Sequence, residues 1–234
     1  MITVVVPTYN EAANLTKLID ELFSLHIQNL NLIIIDDASP DGSALIAKQL
    51  SKKYVGKITV IERPKKLGLG TAYIVGFIQA LESGSKRIIQ MDADLSHSPK
   101  YIPTFLEILQ KYDVVIGSRY INQGSDDSSW IWYRKLLSLL GNIYIKFVTG
   151  VSVKDATSGF KGFTREAIES LNLSQFQCVG YAFQGEMAYQ CQQKGLRVFE
   201  HPIKFLHRAS GNSKMSLSII IEALFKIVLI RLKS

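Results

Sequence analysis

The sequence predicts an α/β chain built on a doubly wound, mostly parallel sheet, and three observations carry that prediction. Short β-branched runs alternate with helical patterns through the first half, as in strands joined by crossover helices. The first helical pattern carries an apolar stripe near helical spacing, Ala12, Leu15, Leu18, Ile19, Leu22 and Leu25. Each strand-like run ends in a loop supplying acids, glycines or backbone donors, where open sheets of this kind bind ligands.

The elements follow in order. Ile2-Thr3-Val4-Val5-Val6 opens the chain as a strand over 2–6, and further strands are expected over 31–35, 57–62, 86–91 and 113–117. Helices are expected between them over 11–26, 41–53, 70–83 and 99–111. Loops 7–11, 36–42, 63–70 and 92–98 should then converge on one crevice. A further helical stretch covers 183–194. No repeat or low-complexity linker interrupts the pattern.

The length of 234 residues, 47% of them apolar and 20% charged, suits one or two globular domains. Lys+Arg 27 against Asp+Glu 20 gives a formal charge of +7, which favours an anionic partner without choosing among phosphorylated small molecules, nucleic acid and an acidic membrane face. Nucleic acid is disfavoured, because no aromatic-basic stacking motif accompanies the charge. Cys178 and Cys191 lack metal-like spacing and read as free thiols in a reducing compartment. The N-terminus reads directly as a strand, without the basic and apolar regions of an export signal.

The loops carry the chemistry. Asp92-Ala93-Asp94 ends the run Arg87-Ile88-Ile89-Gln90-Met91, and in an extended segment residues i and i+2 point the same way. Two facing carboxylates repel unless a cation or proton offsets them, and hard oxygens favour Mg²⁺ or Mn²⁺ completed by substrate phosphates. A solvated acid pair capping the next helix is the alternative. Pro7-Thr8-Tyr9-Asn10-Glu11, the run Asp36 to Gly42 and Lys66-Leu67-Gly68-Leu69-Gly70-Thr71-Ala72 follow the first three strands; Asn10 and Asp41 also suit helix caps, and the Gly-Leu-Gly turn also suits crowded backbone. A dinucleotide fingerprint fails, because its glycines belong after the first strand.

In this order the blocks resemble the family 2 glycosyltransferases of GT-A fold (nucleotide-diphospho-sugar transferases), with PxYNE, DDxSxDG, GLGxA and DxD signatures. The blocks Asp92 to His97, Gly117-Ser118-Arg119-Tyr120, Ser158-Gly159-Phe160 and Arg208 to Lys214 are similar to the dolichol-phosphate mannose synthase branch, so the likeness spans about residues 2 to 216. It implies inverting transfer of a hexose, mannose from GDP-mannose, to a polyprenyl monophosphate. Asp94, Arg119 and Arg208 would carry the reaction. Asp92 and Asp94 would hold Mg²⁺ or Mn²⁺, with Ser96 in doubt because some relatives carry Gln there. Pro7, Tyr9, Glu11, Asp36, Asp37, Asp92, Ala93 and Lys214 would bind the donor, Asp36 and Asp37 reading base and ribose; Arg119, Arg134 and Ser138 would face the acceptor phosphate. A phosphate monoester with second pKa near ~6 is largely dianionic at neutral pH, so no general base is required.

Two stretches point to a membrane surface. From 130 to 150, Arg134, Ser138, Asn142 and Lys146 recur every four residues among apolar positions, with Trp130, Trp132 and Tyr144 near headgroup level. A helix buried against the rest of the domain is the other reading. The segment 217–234 repeats the pattern after the catalytic domain of 1–216, but is too short and charged for a confident span. A peripheral protein on the cytoplasmic membrane face is expected, anchored by these helices, by a membrane-anchor subunit or as a homo-oligomer. His97 suits either a phosphate or metal contact or a turn-fixing role, whereas His26, His201 and His207 read as structural or surface groups. Glu186 suits either sugar contact or the orienting of a basic neighbour. Two other functions fit the same residues: a UDP-glucose-dependent lipid or polysaccharide glycosyltransferase, and a membrane-bound nucleotide sensor without turnover.

Overall fold

The computed structural model describes residues 1–126, 132–180, 182–206 and 217–232. β1 (Ile2–Thr8) is central, with Val4, Val5 and Val6 fully buried, as an apolar strand covered on both faces must be. It leads through α1 (Ala12–Ser24) to β2 (Leu30–Asp36), through α2 (Ser43–Lys53) to β3 (Ile58–Glu62), and through α3 (Leu69–Glu82) to β4 (Arg87–Gln90). α4 (Ile102–Ile108) precedes β5 (Val114–Ser118), followed by β6 (Ser125–Asp126) and α5 (Trp132–Thr149). β7 (Lys161–Thr164), α6 (Arg165–Ser170), α7 (Ala182–Gln193), β8 (Val198–Pro202), β9 (Lys204–Phe205) and α8 (Leu217–Leu232) complete the order.

The strands assemble as β3-β2-β1-β4-β7-β5-β8, with β6 and β9 pairing separately. β1 runs parallel to β2 and β4, β2 to β3, and β5 to β8, while β7 is antiparallel to both β4 and β5. The expected helix over 99–111 divides into a 3₁₀ turn at Pro99–Tyr101 and the shorter α4. The other expected bounds move by at most two residues at either end.

The antiparallel β7 decides where the site forms. Its pairing sets Lys161 opposite both Gln90 and Ile116. The beginning of β7 therefore lies at the carboxyl ends of β4 and β5, and the turn Ser158-Gly159-Phe160 brings Gly159 against Asp92. Two apolar layers hold the sheet: Val5, Ile35, Tyr73, Phe77, Phe163 and Phe183 on one face; Val4, Val6, Leu18, Ile34, Phe105 and Phe160 on the other. A fully buried side chain of this size contributes about 1.5–3 kcal/mol.

α8 packs on α5 and α7, placing Ile227 and Ile230 in the first layer. Among the described residues, no helix is long and apolar enough to cross a membrane.

Candidate active site

The loops after β1, β2, β3 and β4 converge. Pro7, Tyr9, Glu11, Asp37, Asp92, Ala93 and Asp94 line one crevice of about 160 Å³, closed by Lys66, Gly68, Leu69 and Gly180. Three non-glycine residues in these loops adopt left-handed backbone: Asn10 (φ 57°), Ala38 (φ 54°) and Leu95 (φ 63°). Such residues cost of order 1–3 kcal/mol each and cluster at functional sites.

The acids divide by what already holds them. Asp36 is buried, taking Thr8 Oγ1 at 2.8 Å and Ser39 Oγ at 2.6 Å on Oδ1, and the Ser39 amide at 2.8 Å on Oδ2. Both oxygens lock β1 to the β2 loop, and Asp36 is not among the residues lining the crevice. In this arrangement the acceptor sites of Asp36 are turned to Thr8 and to its own loop. Asp37 does line the crevice; one oxygen meets the Arg63 guanidinium and the other takes the amides of Leu67 and Gly68 at 3.2 and 3.1 Å. Arg63 also donates to Gly68 O at 2.9 Å and Thr71 Oγ1 at 2.7 Å, so the pair shapes the Gly-Leu-Gly loop. Gly68 has φ +101°, and a Cβ there would lie 2.6 Å from Val179 O, so crowded backbone accounts for this glycine.

Asp41 follows the capping reading. It accepts from the Ala12 amide opening α1 and from the Ser43 amide and hydroxyl opening α2, at 2.9, 3.0 and 2.6 Å. Glu11 takes Asn14 Nδ2 at 2.8 Å while lining the crevice. Lys66 Nζ sits 4.1 Å from the centre of the Tyr9 ring, within cation–π range.

Asp92 and Asp94 fit a hard divalent cation. Both line the crevice, and the Asp92 side chain is 33% exposed. Asp92 Oδ1 accepts from Tyr73 OH at 2.8 Å, and Asp94 Oδ1 from the Ser96 amide at 3.0 Å. Among the described residues no group of three or more His, Cys, Asp or Glu converges as a metal cage. Two carboxylates beside an open crevice suit an ion whose remaining positions go to phosphate and water. Burial, and then Asp92, push the Tyr73 phenol well above its ordinary range, so it stays a donor. His97 is buried against Phe160 and Phe205, and its Nδ1 accepts from the Asp92 amide at 3.4 Å. Burial lowers its pKa against the opposing pull of Asp92 and Asp94, which favours the neutral, turn-fixing role.

Arg119, just after β5, is clasped by Asp155. Its Nε reaches Oδ2 and its Nη2 reaches Oδ1, both at 2.8 Å, and Nη2 also meets Thr157 Oγ1 at 2.8 Å. Burial works to raise the Asp155 carboxyl, but the Arg119 hydrogen bonds and charge overcome it and hold it below its usual range. Thr157 bonds Asn142 of α5, whose Nδ2 also donates to Ser138 O at 3.0 Å. Tyr120 OH donates to Ser138 Oγ at 2.9 Å. Arg119 and Ser138 thus belong to one network. Only the backbone of Arg134 is described, while Arg208 and Lys214 lie outside the described residues. Ser96 is buried beside Asp94, its amide and carbonyl occupied by Asp94 and Leu206.

Several groups in or beneath the site escaped the sequence. Tyr73 reads as one more apolar helix residue, and Asp155 as a lone loop acid. Lys161 reads as a surface charge but is fully buried, donating to Ser158 O and to Gln184 Oε1. Burial lowers its pKa to about 8, and raises that of nearby Cys191 to about 12. Glu186 is buried, and its carboxylate takes the backbone amides of Gln177 and Cys178.

α5 turns its Ser138 and Asn142 positions toward the site and exposes Leu136, Leu140, Ile143 and Phe147, the last 88% exposed. Tyr144 OH bonds Leu224 O at 2.7 Å, joining α5 to α8, which exposes Phe225, Leu229 and Leu232. A larger groove of about 750 Å³, lined by Gln175, Glu186, Gln190, Gln193 and Lys194, lies by α7 and α8 and is lined by none of Asp36, Asp37, Asp92, Asp94 and Arg119.

The profile of Glycosyl transferase family 2 matches residues 3–171. The polyprenol monophosphomannose synthase of Mycolicibacterium smegmatis is 37% identical over 225 residues, covering 96% of this chain and 84% of the relative. The undecaprenyl-phosphate mannosyltransferase of Micrococcus luteus is 34% identical over 223 residues, covering 95% and 90%. Among solved structures, glucosyl-3-phosphoglycerate synthase from Mycobacterium tuberculosis, in complex with Mn²⁺, UDP and glucosyl-3-phosphoglycerate, matches with a TM-score of 0.69 at 18% identity. That match covers 100% of this chain and 79% of the other, and is a likeness of fold.

Proposed function

This chain belongs to glycosyl transferase family 2, and we propose that it moves mannose from GDP-mannose to a polyprenyl monophosphate with inversion at the anomeric carbon. The observation that carries the reading is the pair Asp92 and Asp94 opening on a crevice built from four strand-end loops. The names of the two mannosyl-transferring relatives support the sugar and the lipid class.

Pro7, Tyr9, Glu11 and Asp37 form the nucleotide wall in this reading, with Ala93 beneath the sugar. Asp92 and Asp94 would hold the divalent cation, Mg²⁺ or Mn²⁺, that serves the donor diphosphate. When bound, the ion supplies positive charge that offsets what grows on the departing nucleotide. Arg208 and Lys214 close over the same diphosphate. Arg119, with Arg134 and Ser138, orients the acceptor phosphate, whose oxygen attacks the anomeric carbon opposite the leaving group. The phosphate arrives already ionised, so these residues supply proximity and charge, and none acts as a base. Asp155 keeps the Arg119 guanidinium in one orientation, ready for the acceptor.

The joined outer faces of α5 and α8 rest on a membrane surface in this reading, as a peripheral attachment on the cytoplasmic side. That places Ser138 and Arg119 just above the headgroups, where a lipid phosphate presents itself. A panel of labelled GDP-mannose, UDP-glucose and UDP-N-acetylhexosamines, each with a polyprenyl phosphate and Mg²⁺ or Mn²⁺, tests the proposal. Organic-extractable mannose from GDP-mannose is expected, and is lost in Asp94→Ala. A product from UDP-glucose alone would overturn the donor; none from any donor would overturn the activity.

A further inference from the structure

β7 buries a lysine beneath the site, and the proposed chemistry does not use it. Lys161 is fully buried and, among the described residues, forms no salt bridge. A buried cation held by neutral groups alone is a poor source of stability. Its Nζ donates to Ser158 O and to Gln184 Oε1 at 2.7 Å. Gln184 Oε1 also accepts from Gln90 Nε2 at 2.6 Å, and that same Nε2 reaches Gly159 O at 3.2 Å. Among the described residues, Gln90 Oε1 and Gln184 Nε2 are left buried without a hydrogen-bond partner. A network kept for stability saturates its members; this one does not.

Its geometry ends at the donor acids. The two tethered carbonyls belong to Ser158 and Gly159, and a Cβ on Gly159 would fall 2.8 Å from Asp92 Oδ2. Asp92 is therefore bounded by this turn on one side and hydrogen-bonded to Tyr73 OH through its other oxygen. We propose that Lys161 is a positioning residue: by tethering Ser158 O directly, and Gly159 O through Gln184 and Gln90, it fixes the wall that sets the Asp92 carboxylate for its metal.

This inference rests on the donor reading above, and the test separates the two. Binding of GDP, and separately of UDP, is measured by calorimetry without metal and with Mn²⁺, and Mn²⁺ is titrated by its paramagnetic resonance signal. The proteins are wild type, Lys161→Met and Gln184→Met, each checked for folding by circular dichroism. In Lys161→Met the Mn²⁺ affinity in the presence of diphosphate falls about 10- to 100-fold, the usual effect of removing support behind a ligand. Metal-free nucleotide binding stays at its wild-type value, which general damage would not allow. Gln184→Met weakens Mn²⁺ in the same direction and decides the matter if Lys161→Met does not fold. Wild-type Mn²⁺ affinity in a folded variant overturns the inference. Absence of Mn²⁺-dependent nucleotide binding in the wild type instead overturns the donor reading on which it stands.

Discussion

Replacing Gly159 by alanine probes the donor acids without touching either carboxylate. The backbone there is not left-handed, so alanine is tolerated locally, and the difficulty is space. Its Cβ would meet Asp92 Oδ2 at 2.8 Å and His97 Cε1 at 3.1 Å, where ordinary contact begins near 3.4 Å. His97 is packed against Phe160 and Phe205 and yields little, so Asp92 retreats by roughly half an ångström or rotates off its rotamer, at a cost of order 0.5–1.5 kcal/mol. Rotation also weakens the 2.8 Å bond from Tyr73 OH, and a hydrogen bond to a charged group is worth about 1.5–3 kcal/mol. Since part of each term is recovered by relaxation, a loss of about 2 kcal/mol in transition-state binding is expected, roughly a 30-fold fall in kcat/KM. Steady-state transfer from GDP-mannose at saturating polyprenyl phosphate measures it, with Mn²⁺ varied and the melting transition followed in parallel. The Mn²⁺ requirement should rise, and because the same strain acts on the folded chain the melting temperature should fall by a few degrees. Activity within twofold of wild type at limiting Mn²⁺ would refute the claim that Gly159 abuts a working ligand.

Three other outcomes are expected. Lys161 has a folded pKa of about 8 against an ordinary 10.5, so above pH 8 the unfolded chain holds a proton that the folded chain has lost, and stability rises with pH. Cys191, raised from 9.0 to about 12, reverses that trend above pH 9; denaturant unfolding should therefore show a gain of about 1 kcal/mol from pH 8 to 9, absent in Lys161→Met. Asp155→Ala removes the carboxylate that clasps the buried Arg119 guanidinium and should cost about 3–5 kcal/mol in urea unfolding, a cost under 1 kcal/mol counting against the clasp. Phe147→Ser combined with Phe225→Ser removes two exposed rings from the α5 and α8 surface; at about 1.5–3 kcal/mol for each buried ring, sedimentation with anionic vesicles should weaken more than 100-fold, and unchanged sedimentation would remove the membrane reading.

The first four strands and their crossover helices were legible because β1, β2 and β4 carry buried apolar runs, the edge strand β3 is the β-branched run Ile58-Thr59-Val60-Ile61, and the first helix carries a stripe. β7 was not legible, for the same reason inverted. Lys161-Gly162-Phe163-Thr164 is four residues long, begins with a charge and shows no alternation, because its neighbours β4 and β5 supply the surroundings that make it a strand. The polar line on α5 was legible as spacing, and at Ser138 and Asn142 it turns inward. Its partner Thr157 was not, since nothing local marks a threonine that will meet an arginine 38 residues away.

The acids show most clearly what spacing leaves open. Asp36, Asp37, Asp92 and Asp94 all follow strands, and a motif weighs them alike. What separates them is how far their oxygens are already spent within the protein. Asp36 has three hydrogen bonds to its own and the adjoining loop, and Asp37 has two amides and a guanidinium. Lone pairs so occupied are available to a ligand only if the loop opens. Among the described residues Asp92 has a single side-chain donor, Tyr73, and it keeps a third of its side chain exposed. Asp36 is therefore spent on its loop, Asp37 shapes the crevice it lines, and Asp92 keeps side-chain surface open to that crevice. The distinction comes from distant residues, Thr8 and Arg63 for one pair and Tyr73 and Gly159 for the other, so it exists only once the sheet has brought them together.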